Sequence, residues 1–222
     1  MTTIRSFWYP CGSAGAVLAL SQNDLRRLLG YFWMSQQGFL LVGMAAWNTT
    51  SISGALLHAI SSVFCRCGLL LIAGAIAART GTTDIRLLGG LIGRAPRMAT
   101  GFLLLSAAAV GFPGTLGFVS EDLLVQGLLH THGLAAGGLL IVTALNGILL
   151  YRAFKRVFLG PPSPHAQLIG GMEDFLPRER WVSVALVVLL LFGGFAPAPL
   201  LAVRKGVVSA LHRDESTIPS AH

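Results

Sequence analysis

The sequence predicts an all-α protein: a polytopic membrane helix bundle of about six transmembrane segments, one of them broken at Pro113-Gly114. Three observations carry that prediction. Of 222 residues, 54% are hydrophobic and 11% charged, with a mean hydropathy of +0.70, whereas about a quarter of the residues in a soluble domain are charged. Apolar residues gather into long runs, several near the roughly 20 residues that cross a bilayer as a helix. The charges lie mostly in short stretches between those runs. Such a chain leaves no room for a soluble enzyme with a large aqueous cleft. Three cysteines, Cys11, Cys65 and Cys67, all sit in apolar stretches and exclude a disulfide framework. The net charge of +7 reads as membrane sorting and not as a nucleic-acid footprint.

Taken in order, the first run, Phe7 to Leu20, is short of a full span and reads as a marginal helix, with no basic region and cleavage site of a signal peptide. After the polar break Ser21 to Arg27, Leu28 to Trp47 forms a second segment, and Gly54 to Ala78 a third. Met98 to Leu129 is apolar throughout but carries Pro113 and Gly114 at its centre, where proline removes a backbone donor. It is read as one broken crossing. Leu134 to Leu150 is the fifth segment, Tyr151 to Arg180 a polar loop, and Trp181 to Val203 the sixth. Residues 1–203 thus form a single transmembrane domain and 204–222 a polar tail.

Charge tests the count, because cytoplasmic loops hold the Lys and Arg excess. With six crossings, one side carries Arg26, Arg27, Arg79, Arg86, Arg94, Arg97, Arg152, Lys155, Arg156, Arg178 and Arg180, and the other only Arg5, Arg204, Lys205 and Arg213. Were Met98 to Leu129 a hairpin, the group around Arg152 would change sides and the bias would largely vanish. Both termini then face away from the cytoplasm.

An ionisable side chain at membrane depth costs several kcal/mol, roughly, and normally faces a bundle interior, a partner or a wet cavity. His58, Ser62 and Arg66 in the third segment are spaced four apart, which stacks them on one helical face. Glu121 and Asp122 follow the break by about two turns, Asp122 read as the solvated or capping member, and Asn146 adds a polar group in the fifth segment. Taken alone, His58 is equally a hydrogen-bonded packing residue and Glu121 equally a solvated helix end. Together with Arg66 they fit a charged path through the bundle. Cys65 and Cys67 have no second pair to complete a metal site, and His130 and His132 read as hydrated loop residues. No metal or cofactor is expected.

Two stretches then carry a resemblance. Gln22-Asn23-Asp24-Leu25-Arg26-Arg27-Leu28-Leu29-Gly30-Tyr31 with Ser35-Gln36-Gln37-Gly38 is the first; Thr83-Asp84-Ile85-Arg86-Leu87-Leu88-Gly89-Gly90-Leu91, Pro96 and Gly111-Phe112-Pro113-Gly114-Thr115-Leu116-Gly117-Phe118-Val119-Ser120-Glu121 is the second. In order and spacing, from about residue 12 to Gly194-Phe195-Ala196-Pro197, they resemble the antiporter-like, proton-conducting membrane subunits of respiratory complex I. Glu121 falls on the broken-helix position, as in the M-type members that use glutamate there. Counting back from Gly74, Arg66 falls where some members have a lysine, His58 on the first of two histidines and Ser62 on the second. In the alternative register His58 takes the second histidine and Ser62 the lysine position. The resemblance covers only the later part of the family's two inverted repeats, and Tyr31-Phe32-Trp33 replaces small hydroxyl residues usual there.

What the resemblance implies is a proton-translocating membrane subunit of an NADH:quinone oxidoreductase-type complex, in the bacterial inner membrane. Glu121 would load a proton, His58 pass it on, and Arg66, which does not deprotonate, tune both. The chain carries no dinucleotide fingerprint or iron–sulfur pattern, so redox chemistry falls to partner subunits, among them a separate chain supplying the missing half. Alternatives are a cation/proton antiporter, a membrane-bound hydrogenase or an inorganic-carbon uptake complex, and a structural subunit or fragment that conducts nothing.

Overall fold

The computed structural model describes residues 2–131, 133–161 and 174–195. The tail at 204–222, the end of the last apolar run at 196–203, His132 and positions 162–173 of the polar loop lie outside the described residues. The described residues form seven α-helices: α1 (Thr2–Ser21), α2 (Leu25–Ala45), α3 (Thr49–Thr80), α4 (Pro96–Ala109), α5 (Leu116–Thr131), α6 (Gly133–Phe154) and α7 (Pro177–Phe195). A 3-10 turn at Leu91–Gly93 precedes α4, and a π turn at Lys155–Leu159 extends α6. Two helical stretches, Thr49–Thr80 and Gly133–Leu159, are long and apolar enough to cross a membrane on length and composition alone.

Several boundaries differ from those of the apolar runs, because capping groups set helix ends. Asp24 accepts a hydrogen bond from the Arg27 N–H and starts α2 three residues before the run. Asn48 does the same for α3 through the Ser51 N–H, and Gly81, at φ +69°, ends it. The first segment lies in a 20-residue helix whose apolar part, Gly12–Ser21, is short of a span, as expected of a marginal segment. The polar loop is shorter than Tyr151 to Arg180: α6 continues past Tyr151, and α7 begins at Pro177.

The path of α4 and α5 follows from their neighbours on α3. A Cβ placed on Gly68 would lie 2.5 Å from Leu105, and one on Gly54 2.8 Å from the Leu124 backbone. Between these, Ser120 reaches His58. As the chain proceeds from α4 into α5, its partners on α3 move steadily from the C-terminal half to the N-terminal half. The two short helices therefore follow one another along α3, antiparallel to it.

The break is built by five residues, each with a local reason. Helix α4 closes as a Schellman motif: Phe112 N–H bonds to Ala107 O at 2.9 Å and Gly111 N–H to Ala108 O at 3.3 Å, with Gly111 at φ +73°. Phe112 to Thr115 then forms a turn of the type II pattern, with Pro113 second, Gly114 third at φ +88°, and Thr115 N–H donating to Phe112 O at 3.1 Å. Finally the Thr115 hydroxyl accepts the Phe118 N–H and begins α5. The interruption thus spans 110–115 and starts at Gly111; Pro113 shapes the turn after the helix has already ended.

Basic residues gather at one end of the bundle, where the connections tie together. Asn23 and Asp24 pair with Asp84 and its neighbours in an isolated antiparallel bridge, Leu25 N–H to Thr83 O and Ile85 N–H to Asn23 O, both 2.8 Å. Arg152 donates to the Leu20 carbonyl. Arg79 binds Glu179 at 2.6 Å, while Asp174 accepts the Arg97 and Met98 amides that begin α4. At the other end Asn48 donates to Gly127 O at 2.8 Å. Between the two ends lie two apolar clusters. One, around Phe32, Leu69, Ile72, Phe102 and Phe158, occupies the basic half; the other, around Phe39, Val42, Ala55, Leu124 and Leu139, occupies the opposite half.

Candidate functional site

The polar residues at depth collect where these two clusters meet. On α2, the adjacent Ser35 and Gln36 are buried, as are His58 on α3, Ser120 on α5 and Asn146 on α6. Burying so many polar groups is costly unless they bond to one another. His58 Nε2 lies 3.0 Å from Gln36 Oε1, and Gln36 Nε2 donates to the Ala109 carbonyl at 3.0 Å. Ala109 is in the last turn of α4, where carbonyls lack intrahelical partners, so Gln36 closes the broken end and orients His58 together.

That orientation fixes the tautomer. With its amide N–H₂ spent on Ala109, Gln36 presents oxygen to His58, so Nε2 carries the proton and Nδ1 is the open nitrogen. Nδ1 faces Ser120 Oγ at 3.4 Å, and Ser120 donates to Gly117 O at 2.7 Å. A proton arriving on Nδ1 finds a hydroxyl oxygen ready to accept it, without rearrangement of Gln36. Beside His58 lies a cavity of about 10 Å³ lined by Gln36, Ser61, Ser62, Ala109 and Gly117 among others, about the space of one water.

Glu121 turns the other way from its neighbour Ser120. Its Oε2 lies 3.5 Å from the Thr143 hydroxyl of α6, and its buried Oε1 has no hydrogen-bond partner. The carboxylate rests against Gly111 at the break, where a Cβ would come within 2.7 Å of Oε2. One helical turn beyond Thr143, Asn146 donates to Ser35 Oγ at 3.2 Å and leaves its own buried Oδ1 without a partner. Asp122 is exposed and accepts from Gln126 at 2.8 Å. The groups form an interrupted polar circuit across four helices, in three hydrogen-bonded pieces: Glu121 with Thr143, Asn146 with Ser35, and Gln36 with His58 and Ser120.

Of the residues singled out in sequence, His58 and Glu121 join this circuit from opposite sides of α5. Ser62 lines the small cavity and donates to Ala59 O. Arg66 lies elsewhere: its guanidinium sits 5.2 Å from the centroid of the Trp33 ring, and its buried Nε has no hydrogen-bond partner. Among the described residues the ion pairs are Arg79–Glu179 and Arg86–Asp84, so Arg66 and Glu121 are not paired. The Trp33 ring thus carries the cation. Ser35, Gln36, Ser120 and Thr143 were not singled out. Gln36 and Ser120 belong to the two quoted stretches, and Thr143 is three residues from Asn146, which are the only signals the sequence held.

The fold and site define a helix bundle whose interior holds a buried acid at a helix break and a buried histidine. Residues 3–146 match the family described as NADH:quinone oxidoreductase/Mrp antiporter, transmembrane. The chain belongs to that family and is an integral membrane protein. It is 32% identical over 189 residues to NADH-quinone oxidoreductase subunit M of Mycobacterium tuberculosis (strain ATCC 25618 / H37Rv), covering 85% of this chain and 34% of the relative. A chain of respiratory complex I from Thermus thermophilus with bound NADH superposes with a TM-score of 0.78 at 29% identity, covering 86% of this chain and 40% of that one. A chain of the Mrp complex from Dietzia sp. DQ12-45-1b shares the fold, with a TM-score of 0.81 at 19% identity, covering 91% and 45%. The chain therefore spans about a third of the length of the curated relatives it matches.

Proposed function

We propose that this chain is M-type subunit sequence that supplies one proton half-channel to an NADH:quinone oxidoreductase-like complex of the bacterial inner membrane. In this reading it crosses the bilayer six times, α4 and α5 counting as one broken crossing, with residues 1–203 as the transmembrane domain and the basic end toward the cytoplasm. Electron transfer belongs to partner subunits, and other membrane subunits complete the path.

The single observation that carries the reading is the polar circuit from Glu121 to His58 between two apolar clusters. Hydroxyl groups both donate and accept, so Thr143 at the Glu121 carboxyl and Ser120 at His58 Nδ1 are the groups able to exchange protons at the two ends. Glu121 loads at the break, where the Gly111 backbone admits its carboxylate. His58 receives on Nδ1, and Gln36 holds the ring. Arg66, fixed in charge and seated on Trp33, biases both groups through its field. Ser62 borders the space for a water beside the ring.

The test is proton pumping by membrane vesicles carrying the assembled complex with Glu121→Gln. The expected result is fewer protons per electron pair with the complex still assembled; an unchanged ratio removes Glu121 from the path. The family description gives a second reading, a subunit of an Mrp-type cation/proton antiporter. Recovery of the tagged chain in mild detergent distinguishes them, since quinone-reducing subunits come down only in the first case.

A further inference from the structure

Between α4 and α7 runs a groove of about 500 Å³ that the polar circuit does not use, lined by Pro96, Arg97, Thr100, Gly101, Leu104, Phe175, Arg180, Ser183, Val184, Val187 and Val188. Its two ends differ chemically. Arg97 and Arg180 stand at the basic end of the bundle, in the first turns of α4 and α7. Leu104, Val184, Val187 and Val188 wall the remainder. From Arg97 to Leu104 the helix rises roughly 10 Å, at about 1.5 Å per residue, so a charged mouth opens onto an apolar slot that follows the helix axis inward.

The acids near that mouth among the described residues are already engaged. Glu179 binds Arg79 at 2.6 Å, and both carboxylate oxygens of Asp174 accept backbone amides, from Arg97, Met98 and Phe175. Neither Arg97 nor Arg180 is in an ion pair among the described residues. Trp181, 65% exposed, lies beside the mouth with the Arg180 guanidinium 5.6 Å from its ring centroid. Tryptophan beside arginine is the composition of a membrane–water interface.

We propose that this groove is a binding site for an anionic phospholipid, its phosphate held by Arg97 and Arg180 and an acyl chain laid along Leu104, Val184, Val187 and Val188. Both parts of the ligand are specified. Two guanidiniums at the headgroup level call for a phosphate without a compensating ammonium, and the apolar slot below them calls for hydrocarbon entering from the same end. Basic pockets between helices at the cytoplasmic face bind anionic headgroups by this arrangement. The site rests on α4 and α7 alone and stands whether or not the chain conducts protons.

The experiment is native mass spectrometry of the full chain exchanged into mixed nanodiscs of phosphatidylglycerol and phosphatidylcholine. Wild-type protein should leave the detergent-stripped disc with phosphatidylglycerol bound, and Arg97→Gln with Arg180→Gln should cut that retention at least fivefold. Val184→Trp, which fills the slot at an exposed position and spares both arginines, should lower it too. Equal retention of the two lipids by wild type, or undiminished retention by the arginine double variant, overturns the proposal. So does a photo-crosslinker at Val188 in the native complex that captures polypeptide in place of lipid.

Discussion

The Glu121 carboxylate lies against the Gly111 backbone: a methyl group at residue 111 would lie 2.7 Å from Oε2, and residue 111 sits at φ +73°. Gly111→Ala therefore has two effects. The left-handed backbone costs about 1–2 kcal/mol, and the carboxylate must leave the break. The expected outcome is a lower melting temperature in detergent and a loss of pumping similar to that of Glu121→Gln. If Gly111→Ala pumps like wild type, the seat of Glu121 at the break is wrong.

Ser120 and Gln36 hold opposite nitrogens of His58, and their removal has different consequences. Gln36→Leu leaves the Nε2 proton and the Ala109 carbonyl unpaired in the interior, which costs about 1–3 kcal/mol for each buried group. Ser120→Ala removes only a long contact to Nδ1 and a hydroxyl that bonds within its own helix. Thermal unfolding should separate them, Gln36→Leu melting clearly lower and Ser120→Ala close to wild type. Pumping should fall in both, since Nδ1 then lacks its hydroxyl in one and the ring its orientation in the other.

Asp24 joins the two stretches of sequence that carried the family resemblance. Its carboxylate caps α2 through the Arg27 N–H and accepts the Thr83 hydroxyl. Partial burial pushes its pKa upward, but the Thr83 hydroxyl and the Arg27 and Arg26 amides outweigh that and hold it below the ordinary carboxylate value. A lowered folded-state pKa means that the stabilisation is present at neutral pH and is lost as pH falls from the unfolded-state value through the folded one. Asp24→Ala should cost about 1 kcal/mol as a helix cap. The difference in melting temperature between wild type and Asp24→Ala should shrink as pH drops below about 4, which thermal scans across that range would read directly.

What was legible in the sequence was what local chemistry dictates. Pro113 and Gly114 answer backbone requirements of the break and Glu121 interrupts an apolar run, so both could be placed without neighbours, whereas the earlier helix end at Gly111 was not read. The bias of arginines favoured a single broken crossing, and α4 and α5 run one after the other along α3. Helix ends were less legible, because Asp24 and Asn48 start their helices well before apolarity begins. Least visible was the circuit. Gln36 meets Ala109 across 73 residues and Asn146 meets Ser35 across 111, pairings that depend on the register between helices, which periodicity along one helix does not contain. Arg66 was placed opposite Glu121 by charge alone, whereas its nearest stabilising surface is the Trp33 ring.

That stacking makes a final prediction possible. A guanidinium over an indole face gains about 0.5–2 kcal/mol, more when desolvated, and the planar group stacks where an ammonium does not. Arg66→Lys keeps the charge and loses the stacking; Trp33→Leu keeps the charge and loses the ring. Each should lower stability by roughly that amount, and the double variant should lose less than the sum, because both substitutions abolish the same contact. A double-mutant cycle in detergent measures the difference. Strict additivity would mean that Arg66 is held by something other than Trp33, and the assignment of the ring as the seat of the cation would then be withdrawn.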